Sequence, residues 1–209
     1  LLLLLRIRDD GHDDNDDNDD NDDNNTGNHS SFNGVESRVV CNVPILPIKS
    51  NAALHSITYL SVMLNFRQMV PQNKGPATPA DPSKEDVIDE AIKFFKANCL
   101  FRNFEVKGYA DRVIVYLTLY ICQCLTHLAK NQYDKDSALK ELFQLAIKNF
   151  QVPGDKGFPL GGMVTAPQNR GETDLLKQYF TQLRQETGAR LCEQIYAHDK
   201  TIPSKWWMW

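Results

Sequence analysis

An all-α fold is what this 209-residue chain predicts, and three observations carry that expectation. Four stretches repeat apolar residues at three- and four-residue steps. No stretch alternates with period two for long. The joins between stretches are rich in glycine and proline. The architecture expected is a disordered acidic N-terminal tail followed by a compact array of about five helices.

Residues 1–28 form the tail. From Asp9 to Asn25 the unit Asp-Asp-Asn recurs with a period of three, a segment that repels itself and has nothing to bury. The aspartates invite a calcium reading. An EF-hand loop, however, needs a central glycine, a terminal bidentate glutamate and flanking helices, all missing here, so no tight metal site is expected. Leu1 to Leu5 are too few for a signal-peptide core, and Arg6, Arg8 and aspartates follow them instead of a cleavage site. The missing initiator Met predicts a start that is truncated or artefactual.

Residues 29–50 read as irregular and extended. Val43-Pro44-Ile45-Leu46-Pro47-Ile48 sets two prolines among aliphatics, which disfavours helix and predicts a strip lying over a core. Residues 51–73 are an apolar, poorly punctuated piece, read as an atypical insertion. Its nearest approach to a membrane span, Ala52 to Val70, is interrupted by His55, Asn65, Arg67 and Gln68, so no span is expected.

Residues 74–209 make the helical domain. Asp81 followed by Pro82 predicts a cap and a first turn. Ile88, Ala91, Ile92, Phe95 and Cys99 form the first stripe. The second is Ile114, Leu117, Ile121, Leu125 and Leu128, ended by the polar run from Lys130 to Lys135. Leu139, Leu142, Phe143, Ala146, Ile147 and Phe150 form the third. The fourth and longest is Leu176, Tyr179, Phe180, Leu183, Thr187, Leu191 and Ile195, with Gly188 in its later half. Pro153-Gly154, Gly157-Phe158-Pro159, Gly161-Gly162 and Ala166-Pro167 supply turn chemistry between the last two.

Charge is unevenly spread. Ten of the 27 acidic residues lie between Asp9 and Asp23; without the tail, 21 basic and 17 acidic side chains remain, turning a formal −4 into +4. That balance suits an acidic protein partner and falls short of a nucleic-acid-binding surface. The five cysteines (Cys41, Cys99, Cys122, Cys124, Cys192) are odd in number, scattered and without a C-x-x-C pair, which predicts reduced thiols in a cytosolic protein.

No catalytic or metal-binding constellation emerges. Gly161-Gly162 lacks a downstream Lys-Ser/Thr for phosphate. His127 and His198 belong to no ligand or acid-base motif, and no spacing supplies a base for a cysteine. Asp86, Asp89 and Glu90 read as the acidic first turn of a helix rather than a carboxylate dyad. The informative feature is Pro203-Ser204-Lys205-Trp206-Trp207. Indoles at a chain end either lock the tail onto the domain or anchor a partner, which makes Lys205, Trp206 and Trp207 the interface candidates.

Several blocks, taken in order, resemble a known family. They are His29-Ser30-Ser31-Phe32, Leu46-Pro47-Ile48-Lys49-Ser50, Lys74-Gly75-Pro76-Ala77, the run from Asp86 to Asn98, Ala110-Asp111-Arg112, Val152-Pro153-Gly154 with Gly157-Phe158-Pro159-Leu160, the run from Leu183 to Leu191, and Pro203-Ser204-Lys205-Trp206-Trp207. The series resembles subunit 3 of the actin-related protein 2/3 complex. The resemblance implies a helix array with one helix surrounded by the others, no catalysis and no cofactor. It also implies packing chiefly beside actin-related protein 3, contact with the actin filament through the complex, and a place in the cytoplasmic actin cytoskeleton. Neither nucleic acid nor a membrane span enters that picture. The runner-up expectation is a generic helical adaptor unrelated to actin; an unrecognised small enzyme comes third. Against the family pattern, the tail has no counterpart, residues 51–73 are surplus, and the family's basic and aromatic tail beyond Trp207 is truncated here.

Overall fold

The computed structural model describes residues 6–8, 29–49, 75–100 and 103–204. Among them are five helices: α1 (Val87–Lys93), α2 (Phe95–Leu100), α3 (Tyr109–Leu128), α4 (Lys135–Ile147) and α5 (Arg170–Ile195). Four short strands accompany them: β1 (Arg6–Arg8), β2 (Val39–Val40), β3 (Val43–Pro44) and β4 (Asn103–Glu105). Strand β1 pairs with β4 in parallel, Arg6 opposite Asn103, and β2 pairs with β3 antiparallel, Val39 opposite Pro44.

The protein is therefore mostly helical rather than strictly all-α. Strands of two or three residues are too short to show alternation in a sequence. The β2–β3 turn is made by Cys41 and Asn42, both left-handed at φ 53° and 62°, which matches the twist of a tight hairpin.

Helix α3 touches each of the other four helices. Val113, Ile114, Val115, Tyr116 and Leu117 are buried in succession, so nearly every side of it is covered along that turn and a half. All five residues of its stripe are buried, as are all seven of the α5 stripe. Where α4 crosses α5 the seam is narrow: Ala138, Leu142 and Ala146 face inward. A Cβ on Gly188 would stand 3.4 Å from that of Leu142, so glycine lets the two helices close up. Phe180 centres an aromatic group, with Tyr116 at 4.3 Å and Phe158 at 5.9 Å between ring centroids.

Non-helical segments complete the core. Val43, Ile45, Leu46 and Ile48 are buried, as expected for an extended strip, and Leu46 donates its N–H to the Tyr179 hydroxyl at 3.1 Å. The join between α4 and α5 buries Val152, Phe158, Leu160, Met163 and Val164, more than turn chemistry alone implied.

Three local expectations are corrected. Asp81 does not cap a helix; its carboxylate accepts from the N–H and hydroxyl of Ser83 in a turn. The helix begins at Val87, where Asp86 is the cap and Asp89 three residues later completes a capping box. The first stripe spans two helices, because Phe94 leaves helical geometry at φ −96°, ψ 6°. In the third stripe Ile147 is half exposed, and Phe150 lies beyond the helix end.

Candidate functional site

Glycine at position 108 precedes α3 and has no side chain with which to cap it. Asn33, far away in sequence, takes over: its Oδ1 accepts from the N–H groups of Ala110 (3.0 Å) and Asp111 (3.3 Å). A Cβ on Gly108 would stand 2.2 Å from that same oxygen, so glycine makes room for the borrowed cap. Asp111, fully buried in the first turn of α3, then collects donors from both segments. Ser30 N–H (2.7 Å), Asn33 Nδ2 (2.8 Å), Lys107 N–H (2.9 Å) and Gly108 N–H (3.2 Å) all donate to it, and the His29 ring lies at 3.2 Å. Glu90 on α1 holds the same strap, accepting from the Ser30 hydroxyl at 2.7 Å and the Ser31 N–H at 2.8 Å.

A second polar cluster joins α1, α5 and the end of the extended strip. The Arg190 guanidinium donates to both oxygens of Asp86, at 2.6 and 2.9 Å, to Asp89 at 2.9 Å and to the Lys49 carbonyl. Lys49 also pairs with Asp89 through its ammonium and donates its N–H to Asp86 at 2.7 Å. Burial raises the Asp89 pKa, but the Lys49 hydrogen bond and the Arg190 charge outweigh it, and the net shift is downward. Asp86, Asp89 and Glu90 are thus more than a solvated first turn. They are the acceptors that fasten the N-terminal segments to the helices.

Arg184 is buried on α5, and among the described residues no carboxylate forms an ion pair with it. Its Nε and Nη2 donate to the carbonyls of Ala146 (3.2 Å) and Leu145 (2.8 Å), the open C-terminal end of α4. That end carries partial negative charge, which offsets the cation. The guanidinium is also sandwiched between the rings of Tyr120 and Phe150, at 4.3 and 4.4 Å. It forms the floor of an open cleft of about 580 Å³. Leu119, Cys122, Leu145 and Phe150 share that floor, Tyr116 and Tyr120 from α3, Cys99 from α2 and Pro159 complete the lining, and Lys130 and Lys148 stand at its rim. A shallower cleft of about 890 Å³ lies between α1 and the end of α5, lined by Ile92, Ala197, His198 and Ser204.

The remaining candidates fall as follows. His127 has a partner, Glu141, at 3.0 Å across the α3–α4 pair. All five cysteines are free. Burial pushes the Cys124 and Cys192 thiols up to about 12 and Cys122 up to about 11, which keeps them protonated and poor nucleophiles. Among the described residues no group of three or more His, Cys, Asp or Glu is placed to hold a metal ion, and no helix is long and apolar enough to cross a membrane. Lys205, Trp206 and Trp207 lie outside the described residues, as do the Asp-Asp-Asn run and residues 51–73. The last described residue, Ser204, donates its N–H to the Ile195 carbonyl at 2.9 Å, which fixes the chain to the end of α5 just before the tryptophans.

Buried polar side chains that hold backbone and one another, beneath a surface with an open aromatic cleft, define the class as a mostly helical protein whose segments are fastened by acid and arginine clusters. Residues 55–209 match the family P21-Arc, the ARP2/3 complex ARPC3 (21 kDa) subunit, and the chain belongs to that family. It is 47% identical over 182 residues to actin-related protein 2/3 complex subunit 3 of Dictyostelium discoideum, covering 86% of this chain and 91% of that protein. Against the Arabidopsis thaliana protein of the same name it is 35% identical over 181 residues, again 86% and 91%. With that of Schizosaccharomyces pombe it shares 46% over 134 residues, 64% of this chain and 76% of the relative. A generic adaptor unrelated to actin is not the reading these likenesses favour.

Proposed function

We propose that this chain is a non-catalytic structural subunit of an actin-related protein 2/3 complex, supporting nucleation of branched actin filaments in the cytoplasmic actin cytoskeleton. The observation that carries the reading is the family match over residues 55–209. Asp86, Glu90, Asp111, Arg184 and Arg190 support it, because each fastens one segment of the chain to another. In this reading α3 is the helix the others surround, the chief neighbour is actin-related protein 3, and the filament is reached through the complex. No cofactor is needed. A tagged copy should co-purify with the other subunits of the complex, and complex lacking it should branch actin filaments poorly. Recovery as a lone monomer, or branching unaffected by its loss, overturns the proposal.

Residues 51–73 we take as an insertion outside the working fold. Its neck is closed: Ile48 N–H donates to the Thr78 carbonyl at 3.0 Å, and Ala80 N–H to the Ile48 carbonyl at 3.1 Å. Loop length beyond such a neck adds only a slowly growing entropic cost. Deleting Asn51 to Gln72 should preserve or raise the melting temperature and leave assembly intact; a deletion that fails to fold refutes this.

For Trp206 and Trp207 we expect a division of labour. Adjacent side chains of an extended segment point to opposite sides, so one indole packs on the domain while the other meets a partner. Burying an aromatic side chain contributes roughly 1.5–3 kcal/mol. One alanine variant should therefore melt lower on its own, and the other should melt normally while assembling poorly. Equal melting and equal assembly for the pair would contradict the division.

A further inference from the structure

We infer that the cleft floored by Arg184 is a docking groove for a segment of a neighbouring protein chain, one that brings apolar side chains to the floor and carboxylates to the rim. This rests on the subunit reading above and names the face used. Three observations support it. The first is charge: among the described residues that line the cleft, none is acidic, whereas Lys130, Lys148, His127 and Arg184 are all basic. His127 is matched by Glu141, but the exposed Lys130 and Lys148 ammoniums form no ion pair among the described residues. The second is the floor. Leu119, Cys122, Leu145 and Phe150 line the cleft and are only partly buried, packed on the core from below. An apolar floor under a single-sign rim fits a complementary chain better than it fits water. The third is rigidity. Arg184 is fixed by two carbonyls and two aromatic rings, so the floor is formed before anything binds and little ordering entropy remains to be lost.

The test uses the isolated subunit and the reconstituted complex side by side. An amine-reactive reagent, read by mass spectrometry, should modify Lys130 and Lys148 at least tenfold more slowly in the complex than in the free subunit. The double variant Lys130→Glu/Lys148→Glu should melt like the parent, because both side chains are exposed. It should nevertheless lose to the parent by at least tenfold when the two compete for incorporation, and Lys130→Arg/Lys148→Arg should compete equally. Unchanged lysine reactivity in the complex, or equal incorporation of the glutamate variant, overturns the groove while leaving the subunit reading intact. Failure of the parent chain itself to incorporate overturns both.

Discussion

Arg190→Ala is expected to lower the melting temperature of the isolated subunit by roughly 10 °C, more than most single changes in a chain of this length. The reason lies in what the arginine leaves behind. Asp86 is 1% exposed, and among the described residues Arg190 is the cation paired with it, through two oxygens at 2.6 and 2.9 Å. Removing one partner of a buried ion pair strands the other charge, at a cost of about 3–5 kcal/mol, and each kcal/mol moves the melting point of such a domain by about 2–4 °C. Solvent reaches Asp89 and can take up part of its loss, so the lower half of the range is the better expectation. Arg190→Lys should recover little, since one ammonium cannot reproduce a fork that reaches both oxygens of Asp86, Asp89 and the Lys49 carbonyl. The pH dependence provides an independent check. Asp89 has its pKa lowered by the fold, so it contributes stability that is present above the unfolded value of about 4 and lost as the pH falls through the lowered one. With Arg190 gone, that acid loss should be shallower. A variant that melts like the parent, with the same acid profile, would mean the cluster contributes nothing.

This cluster also marks the limit of what the sequence shows. The stripes of α3 and α5 are legible because helix periodicity is local: every residue needed to recognise Leu176, Phe180, Leu183 and Leu191 lies in the same segment. The start of α1 is missed although a signal is present. Asp81-Pro82 and Asp86-x-x-Asp89 both resemble caps, and only the second places an acidic side chain where it can return a bond to the cap's own N–H, as it does at 3.2 Å. The bond from Arg190 to Asp86 spans 104 residues, and that from Ser30 to Asp111 spans 81. Nothing local distinguishes these aspartates from solvated ones. Gly108 likewise reads as an ordinary helix start until Asn33 is seen occupying the space beside it. The basic cleft is invisible for a related reason. Lys130, Lys148 and Arg184 belong to three different segments, and the absence of acid among the described residues that line the cleft is a property of the surface. Only the mild positive charge of the body hinted at it.

Asp111→Ala should have an effect of similar or larger size, and a different character. Its carboxylate is the common acceptor for the N–H groups of Ser30, Lys107 and Gly108 and for the Asn33 side chain, so truncation leaves several donors without a partner at once. Hydrogen bonds to a charged group contribute about 1.5–3 kcal/mol each, while an orphaned buried donor costs about 1–3 kcal/mol. These terms are not additive, and water will reach some of the freed groups once the strap lifts. A net loss of about 4 kcal/mol is therefore expected, with the damage concentrated at one end of the molecule. Residues 29–33 should detach, because Glu90 alone then holds Ser30 and Ser31, and Asn33 should lose its grip on the start of α3. Hydrogen exchange would read this directly: the N–H groups of Ser30, Lys107, Gly108 and Ala110 should lose protection strongly, while those in the middle of α5 should change only as much as global stability does. Asp111→Asn keeps the shape but loses the charge and turns one acceptor into a donor, so it should fall between the parent and the alanine variant. Uniform loss of protection across the chain would show that Asp111 belongs to one cooperative unit with the core. Unchanged protection at Ser30 and Gly108 would show that the carboxylate does not hold the strap.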